Sequence, residues 1–198
     1  SVTITSGLLK ALQNKGLDDI AELRVTGDKA FVSEYVLARN RVKTGEAILI
    51  PQLKYLTNDS WEVVSAIDGP NGWPLLHEAE YAGGSLFVLA VPDNYADLSR
   101  FPEGVLDVIR AHLARYQQVQ LQGPGGVSIF LYDNNTFILE SFLDEPVDVK
   151  VAAPLTSVSL TDLQSGASIA GSQKPGSGGC GQAVLPPKAV FGVALPPH

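Results

Sequence analysis

Apolar and polar positions alternate most regularly in the last third of the chain. Residues 127–132 and 137–142 are both strand-like, and between them lies Asp133-Asn134-Asn135-Thr136. Asn tolerates the left-handed backbone of short reversals, so this pattern predicts a tight β-hairpin. Val147, Val149 and Val151 alternate with Asp148 and Lys150, the signature of a half-exposed strand. Residues 157–163 predict another strand, with a turn at Gln164-Ser165-Gly166-Ala167, and residues 190–195 predict a closing one. The Gly- and Ser-rich stretch 174–181 reads as a mobile loop.

The first half mixes periods. Residues 2–5 resemble a strand, and Thr5 or Ser6 can cap the helix that Leu8, Leu9 and Leu12 predict; Gly16 is placed to end it. Residues 21–26 and 30–37 read as two strands around Gly27-Asp28-Lys29, which predicts a second hairpin. Residues 47–55 and 61–67 continue the β pattern, with Pro51 marking an edge or a bulge. Asp68-Gly69-Pro70-Asn71-Gly72 and Ala82-Gly83-Gly84 are turns, and 73–81 between them is a strand or a loop. The nearly continuous apolar run 85–91 suits a strand covered on both faces. Pro102 opens a helix to about Tyr116, with Val105, Ile109, Leu113 and Tyr116 as its apolar stripe. The expected fold is therefore α+β, mainly an antiparallel β-sandwich with one or two helices on the N-terminal part. Residues 1–117 form an α/β portion and 118–198 the sandwich portion, the two sharing one core.

Composition narrows the partners. Apolar residues at 45% and charged residues at 18% of 198 positions describe an ordinary globular chain. A formal charge of −7 disfavours nucleic acid and anionic membranes, and the densest basic group, Arg39, Arg41 and Lys43, is too short for a phosphate track. No apolar run approaches the roughly 20 residues that cross a bilayer. Cys180 is the sole cysteine, so no intrachain disulfide forms. The chain opens on Ser1-Val2-Thr3-Ile4, has no Met, and stops at Leu195-Pro196-Pro197-His198, which suggests a piece of a longer polypeptide.

Residues 137–142, the alternating valines of 144–151, the Thr161-Asp162-Leu163-Gln164-Ser165-Gly166 turn and the segment 190–198 resemble the C-terminal β-sandwich domains of bacterial glycoside hydrolases. Residues 2–9 resemble a strand-to-helix junction of the glutamine-amidotransferase-like α/β domains attached to some glycosidases. An amidotransferase-like site needs a cysteine on that elbow, whereas Cys180 lies in a Gly-rich stretch far along the chain. The resemblance thus implies an accessory region, secreted or periplasmic. Its partners would be an upstream catalytic domain of the same chain and a polysaccharide or oligosaccharide.

No catalytic motif, metal-ligand spacing or cofactor fingerprint stands out. Sugars stack their C–H faces on exposed aromatic rings, and Tyr55, Trp61, Trp73, Tyr81 and Tyr95 cluster in sequence. Trp73, beside a turn, is the better candidate for exposure, and Trp61, opening a β run, for the core. Asp93 and Asn94, with Asp97, form an oxygen-rich cluster directly after the apolar run. Trp73, Tyr81, Asp93 and Asn94 are accordingly the expected glycan contacts. Glu62, Glu78, Glu80, Asp93 and Glu140 neighbour apolar runs, but sequence pairs none of them as glycosidic cleavage requires. His77 and His112 are isolated, and His112 shares the apolar helix face as a hydrogen-bonded boundary residue. The expected role is a non-catalytic module that binds a glycan or braces a catalytic domain. The alternatives are a structural or oligomerisation module and, third, a hydrolase using paired carboxylates.

Overall fold

The computed structural model describes residues 1–56, 59–134, 136–152, 159–162, 165–170, 172–173 and 180–194. Asn135 of the predicted hairpin, the loop 174–179 and residues 157–158, 163–164 and 195–198 lie outside the described residues. The chain divides into two compact units, Ser1–Val105 and Leu106–His198.

In the first unit, β1 (Val2–Thr5) runs directly into α1 (Ser6–Leu12). Thr5 is extended, and its hydroxyl accepts the Leu8 N–H at 3.3 Å, capping the helix. Leu9 is buried, and a 3₁₀ turn at Leu17–Asp19 follows Gly16. Five strands come next: β2 (Leu23–Leu37), β3 (Asn40–Tyr55), β4 (Ser60–Asp68), β5 (Asn71–Tyr81) and β6 (Gly84–Leu89). They build one sheet in the order β1-β6-β5-β4-β2-β3. Among the described residues of this sheet, only β1 and β6 run parallel; every other pairing is antiparallel.

The hairpin expected at Gly27-Asp28-Lys29 does not form. Residues 23–37 are one strand, and its register with β3 slips between Val25 and Lys29 and again between Val32 and Glu34. Gly27 has φ +93°, so its left-handed backbone absorbs the extra residues as a bulge and bends the strand instead of reversing it. Reversal comes later, through the two residues between Leu37 and its partner Asn40. Pro51 sits on the edge strand β3 opposite Lys29, beside the first register slip. The bent β2–β3 pair brings the Tyr55 ring onto His77 of β5, with 4.4 Å between ring centres. The apolar run of β6 is buried from Leu86 to Leu89, as expected for a strand covered on both faces.

After a 3₁₀ segment at Tyr95–Arg100, Pro102 precedes α2 (Glu103–Leu113), whose last residues belong to the second unit. That unit contains β7 (Gln120–Gln122), β8 (Val127–Leu131), β9 (Thr136–Ser141), β10 (Val147–Ala152), β11 (Ser159–Asp162) and β12 (Ser168–Ala170). β13 (Ser172–Gln173), β14 (Cys180–Leu185) and β15 (Val190–Ala194) complete it. Two antiparallel sheets result, β13-β14-β10-β7 and β12-β11-β15-β9-β8. Their facing side chains merge into one core: Leu121, Val149 and Leu185 from one sheet meet Val127, Phe137, Leu139 and Phe191 from the other. Val147, Val149 and Val151 point into it while Asp148 and Lys150 are exposed. The β8–β9 hairpin pairs Leu131 with Phe137, and the Tyr132 N–H donates to the Thr136 carbonyl at 2.9 Å.

A polar clamp fixes the approach to β8. The Asp107 carboxylate accepts the Gly123 N–H at 2.8 Å. Arg110 donates to the carbonyls of Gly123, Pro124 (2.9 Å) and Val127 (3.3 Å). One helical turn thereby satisfies backbone groups of a Gly-Pro-Gly-Gly loop that has no ladder of its own.

Candidate functional site

In a parallel strand pair, the connections leaving the carboxyl ends diverge and open a crevice. β1 and β6 end together, Thr5 beside Leu89, and the chain departs from one into α1 and from the other through Val91, Pro92 and Asp93. A cleft of about 270 Å³ lies there, lined by Thr5, Ser6, Lys10, Lys29, Asp93 and Tyr95 among others. Ser6 is buried, and its hydroxyl accepts the Val91 N–H at 3.1 Å, tying the two walls together. Lys29, which the β2 bulge delivers, forms an ion pair with Asp93. Both partners are about half exposed, so the pair is screened and contributes little to stability. It can open for a ligand at small cost.

Asn94, between the cleft residues Asp93 and Tyr95 but not itself lining the cleft, has a structural task. Its side-chain oxygen accepts the Ala96 N–H at 3.2 Å, capping the 3₁₀ segment, and its amide donates to Asp97 at 3.4 Å. Asp97 is buried and pairs with Arg100 at 2.7 Å. Next in sequence, Tyr95 leaves its ring 72% exposed at the cleft mouth.

The four expected contacts do not gather in one place. Asp93 and Asn94 lie past the carboxyl end of β6, whereas Tyr81 pairs with Gly84 at its start. Six strand residues separate the ends, roughly 20 Å at 3.4 Å per residue. Tyr81, 52% exposed, instead borders an apolar recess of about 380 Å³ with Val2, Ile4, Leu12 and Ile20. Trp73 is half-buried in β5 opposite Ala66, its indole N–H shut away from solvent with no hydrogen-bond partner among the described residues. Trp61, expected in the core, is 43% exposed. As the second residue of β4, it stands opposite Glu78 near a strand end.

The remaining titratable groups are dispersed. Glu62 accepts the Tyr55 hydroxyl at 3.2 Å, and burial first, then Glu62, pushes the Tyr55 phenol above its ordinary range. In register, Glu62 faces His77 and Trp61 faces Glu78, so Glu62 and Glu78 fall on opposite sheet faces. Glu140 lies in the second unit, between Ser128 and Val190. His112 Nδ1 lies 2.7 Å from the Val108 carbonyl, the boundary bond its helix position predicts. Arg41 and Lys43 both pair with Glu34, at 2.7 and 3.3 Å. Among the described residues, no three His, Cys, Asp or Glu side chains converge as metal ligands would.

What the cleft can do chemically is recognise hydroxyls. A carboxylate accepts two O–H bonds, an ammonium donates, and an exposed phenol ring offers a stacking face. Sequence reasoning missed Lys29, Ser6 and the prominence of Tyr95. Lys29 depends on a register slip; Tyr95 was visible only as one aromatic among five.

Residues 118–198 match the family described as "Probable glycosyl hydrolase, C-terminal domain". A comparison with curated proteins found no match. Among solved structures, a beta-galactosidase from Bacillus circulans sp. alkalophilus aligns at 19% identity and a TM-score of 0.42, over 89% of this chain and 25% of that one. Gan42B, a GH42 beta-galactosidase, aligns at 11% identity and a TM-score of 0.43, over 91% of this chain and 24% of that one. The chain therefore spans about a quarter of the length of the structures it matches. Over residues 118–198, this chain is similar to the C-terminal domain of probable glycosyl hydrolases.

Proposed function

We propose that the chain is a non-catalytic accessory region of a glycoside hydrolase that contacts a glycan at the cleft beside Asp93. The observation that carries this reading is the cleft itself. A carboxylate and an ammonium face each other across it, a buried hydroxyl backs it, and the exposed Tyr95 ring stands at its mouth. The match of residues 118–198 to a glycosyl hydrolase C-terminal domain supplies the substrate class. Asp93 would accept sugar hydroxyls once Lys29 swings away, with Asn94 holding the rim in shape. A glycan of several residues would reach from there toward Tyr81, whereas Trp73 offers only part of its ring.

Affinity electrophoresis through polysaccharide gels tests the reading on the whole chain. Retardation should fall for Asp93→Ala and Tyr95→Ala without a change in thermal midpoint, and fall less for Trp73→Ala. Equal mobility of all variants on every glycan that retards the parent removes the assignment.

A second reading, a bracing or oligomerisation module, is supported by the apolar recess beside the edge strand β1, where Val2, Ile20 and Tyr81 are all exposed. Sedimentation that shows a dimer or trimer in the parent and a monomer in Ile20→Asp would favour it.

A further inference from the structure

The second unit has a recess of its own, of about 230 Å³, between the segment following α2 and the tip of the β8–β9 hairpin. Its walls come from Tyr116, Gln117, Gln118, Leu131, Tyr132 and Thr136, and Val119 contributes to its base. Val119 belongs to the sandwich core, so the floor is anchored and cannot drift. Tyr132 is held by the hairpin closure, its N–H donating to the Thr136 carbonyl, and Gln117 by a 2.9 Å bond from its N–H to the Ala114 carbonyl. The Arg115 guanidinium lies 5.7 Å from the centre of the Tyr116 ring.

Exposure is the informative quantity here. Tyr116 and Tyr132 leave 76% and 51% of their surface in water, beside a pocket whose lining carries no charged side chain. Two exposed aromatic faces, an apolar floor, two primary amides and a threonine hydroxyl are complementary to one kind of small ligand. It is flat and apolar on its C–H face and ringed by neutral hydroxyls. The volume is below the roughly 300 Å³ at which pockets for drug-sized ligands begin, so it suits one ring of a chain that continues into solvent.

We propose that this recess is a second recognition site, for a single ring of a neutral saccharide, formed by Tyr116, Tyr132, Gln117, Gln118 and Thr136. It extends the glycan reading made for the first unit but shares no residue with that cleft, so either can fail alone. The net charge of −7 disfavours anionic sugars overall, although the Arg115 guanidinium over the Tyr116 ring is a local cation, which is why an anionic oligosaccharide is one arm of the test.

The test is a titration of the full ¹⁵N-labelled chain with neutral β-linked tetrasaccharides of galactose, glucose, mannose and xylose, one at a time, followed by amide shifts. At least one should move the Gln117 and Gln118 side-chain amides saturably. Tyr132→Ala and Tyr116→Ala should each weaken that response about tenfold while keeping the parent spectrum elsewhere. Tyr95→Ala should leave it unchanged, whereas loss of the first-unit reading would show only at the Asp93 cleft. Absence of a saturable shift at these amides with all four sugars overturns the proposal. So does an unchanged response in both tyrosine variants, or tighter binding of an oligogalacturonate at low salt.

Discussion

The burial of His77 should destabilise the first unit in mild acid. The residue is fully buried in β5, neither ring nitrogen has a hydrogen-bond partner among the described residues, and the Tyr55 ring lies 4.4 Å from its own. Its cross-strand neighbours are Glu62 and Val88, and Glu62 is already engaged by the Tyr55 hydroxyl. Burial without a partner disfavours the imidazolium and pulls the pKa from 6.5 down to about 4. Between those values the unfolded chain takes up a proton that the folded chain refuses, so stability falls as pH drops from 6.5 toward 4 and levels off below. The gap is roughly 2.5 pH units at 1.36 kcal/mol each, a loss of about 3 kcal/mol, of which roughly 2.5 has gone by pH 4.5. Urea midpoints at pH 7.0 and 4.5 measure it, read by probes within residues 1–105. His77→Leu, close in volume and unable to titrate, should lose markedly less stability over that interval and should exceed the parent at pH 4.5. An equal loss in His77→Leu, or a His77 proton resonance titrating near 6.5 in the folded protein, refutes the reasoning.

Two further predictions rest on polar groups. Tyr35 is fully buried, edge-on to Phe101 at 5.6 Å, and its hydroxyl has no partner among the described residues, with burial pushing its pKa far above the ordinary phenol range. Tyr35→Phe keeps the ring contacts, removes an unsatisfied group and should stabilise the protein by about 1 kcal/mol in urea unfolding; destabilisation by that amount would reveal a partner. Arg110→Ala strips three carbonyls of their donor and should cost the second unit about 2 kcal/mol. Arg110→Lys should recover less than half of that, because an ammonium cannot reproduce the planar fork; full recovery would show that charge alone matters.

The fold was legible wherever local pattern and tertiary demand agree. Val147 to Val151 alternates because one face meets the sandwich core, Pro102 precedes a helix because its missing N–H is harmless there, and Thr5 caps because its oxygen reaches Leu8. The failure at Gly27 shows the limit. A Gly-Asp-Lys triplet between apolar runs suits a hairpin and a bulge equally, since both need a left-handed residue and a polar surface. What separates them is whether β3 can pair with both halves of β2, and that depends on residues some 20 positions away.

The candidate site suffered more from the same cause. Tyr81 and Asp93 lie only 12 positions apart and form one group in the sequence, yet β6 runs between them and carries them to its two ends. Sequence proximity across a strand means separation in space. The cleft draws its polar residues from distant stretches, Ser6 and Lys10 from the first strand–helix junction and Lys29 from the bulge, because only pairing brings them to Asp93. Trp61 is more exposed and Trp73 more buried than their sequence neighbours suggest, for a related reason. Exposure in a strand follows from which face and which end a residue occupies, and the two tryptophans lie on neighbouring antiparallel strands near opposite ends. A turn neighbour such as Gly72 says that the chain reverses, but not which way the ring points. Aromatic content therefore names candidate stacking rings in such a chain, and strand register decides which of them reach the surface.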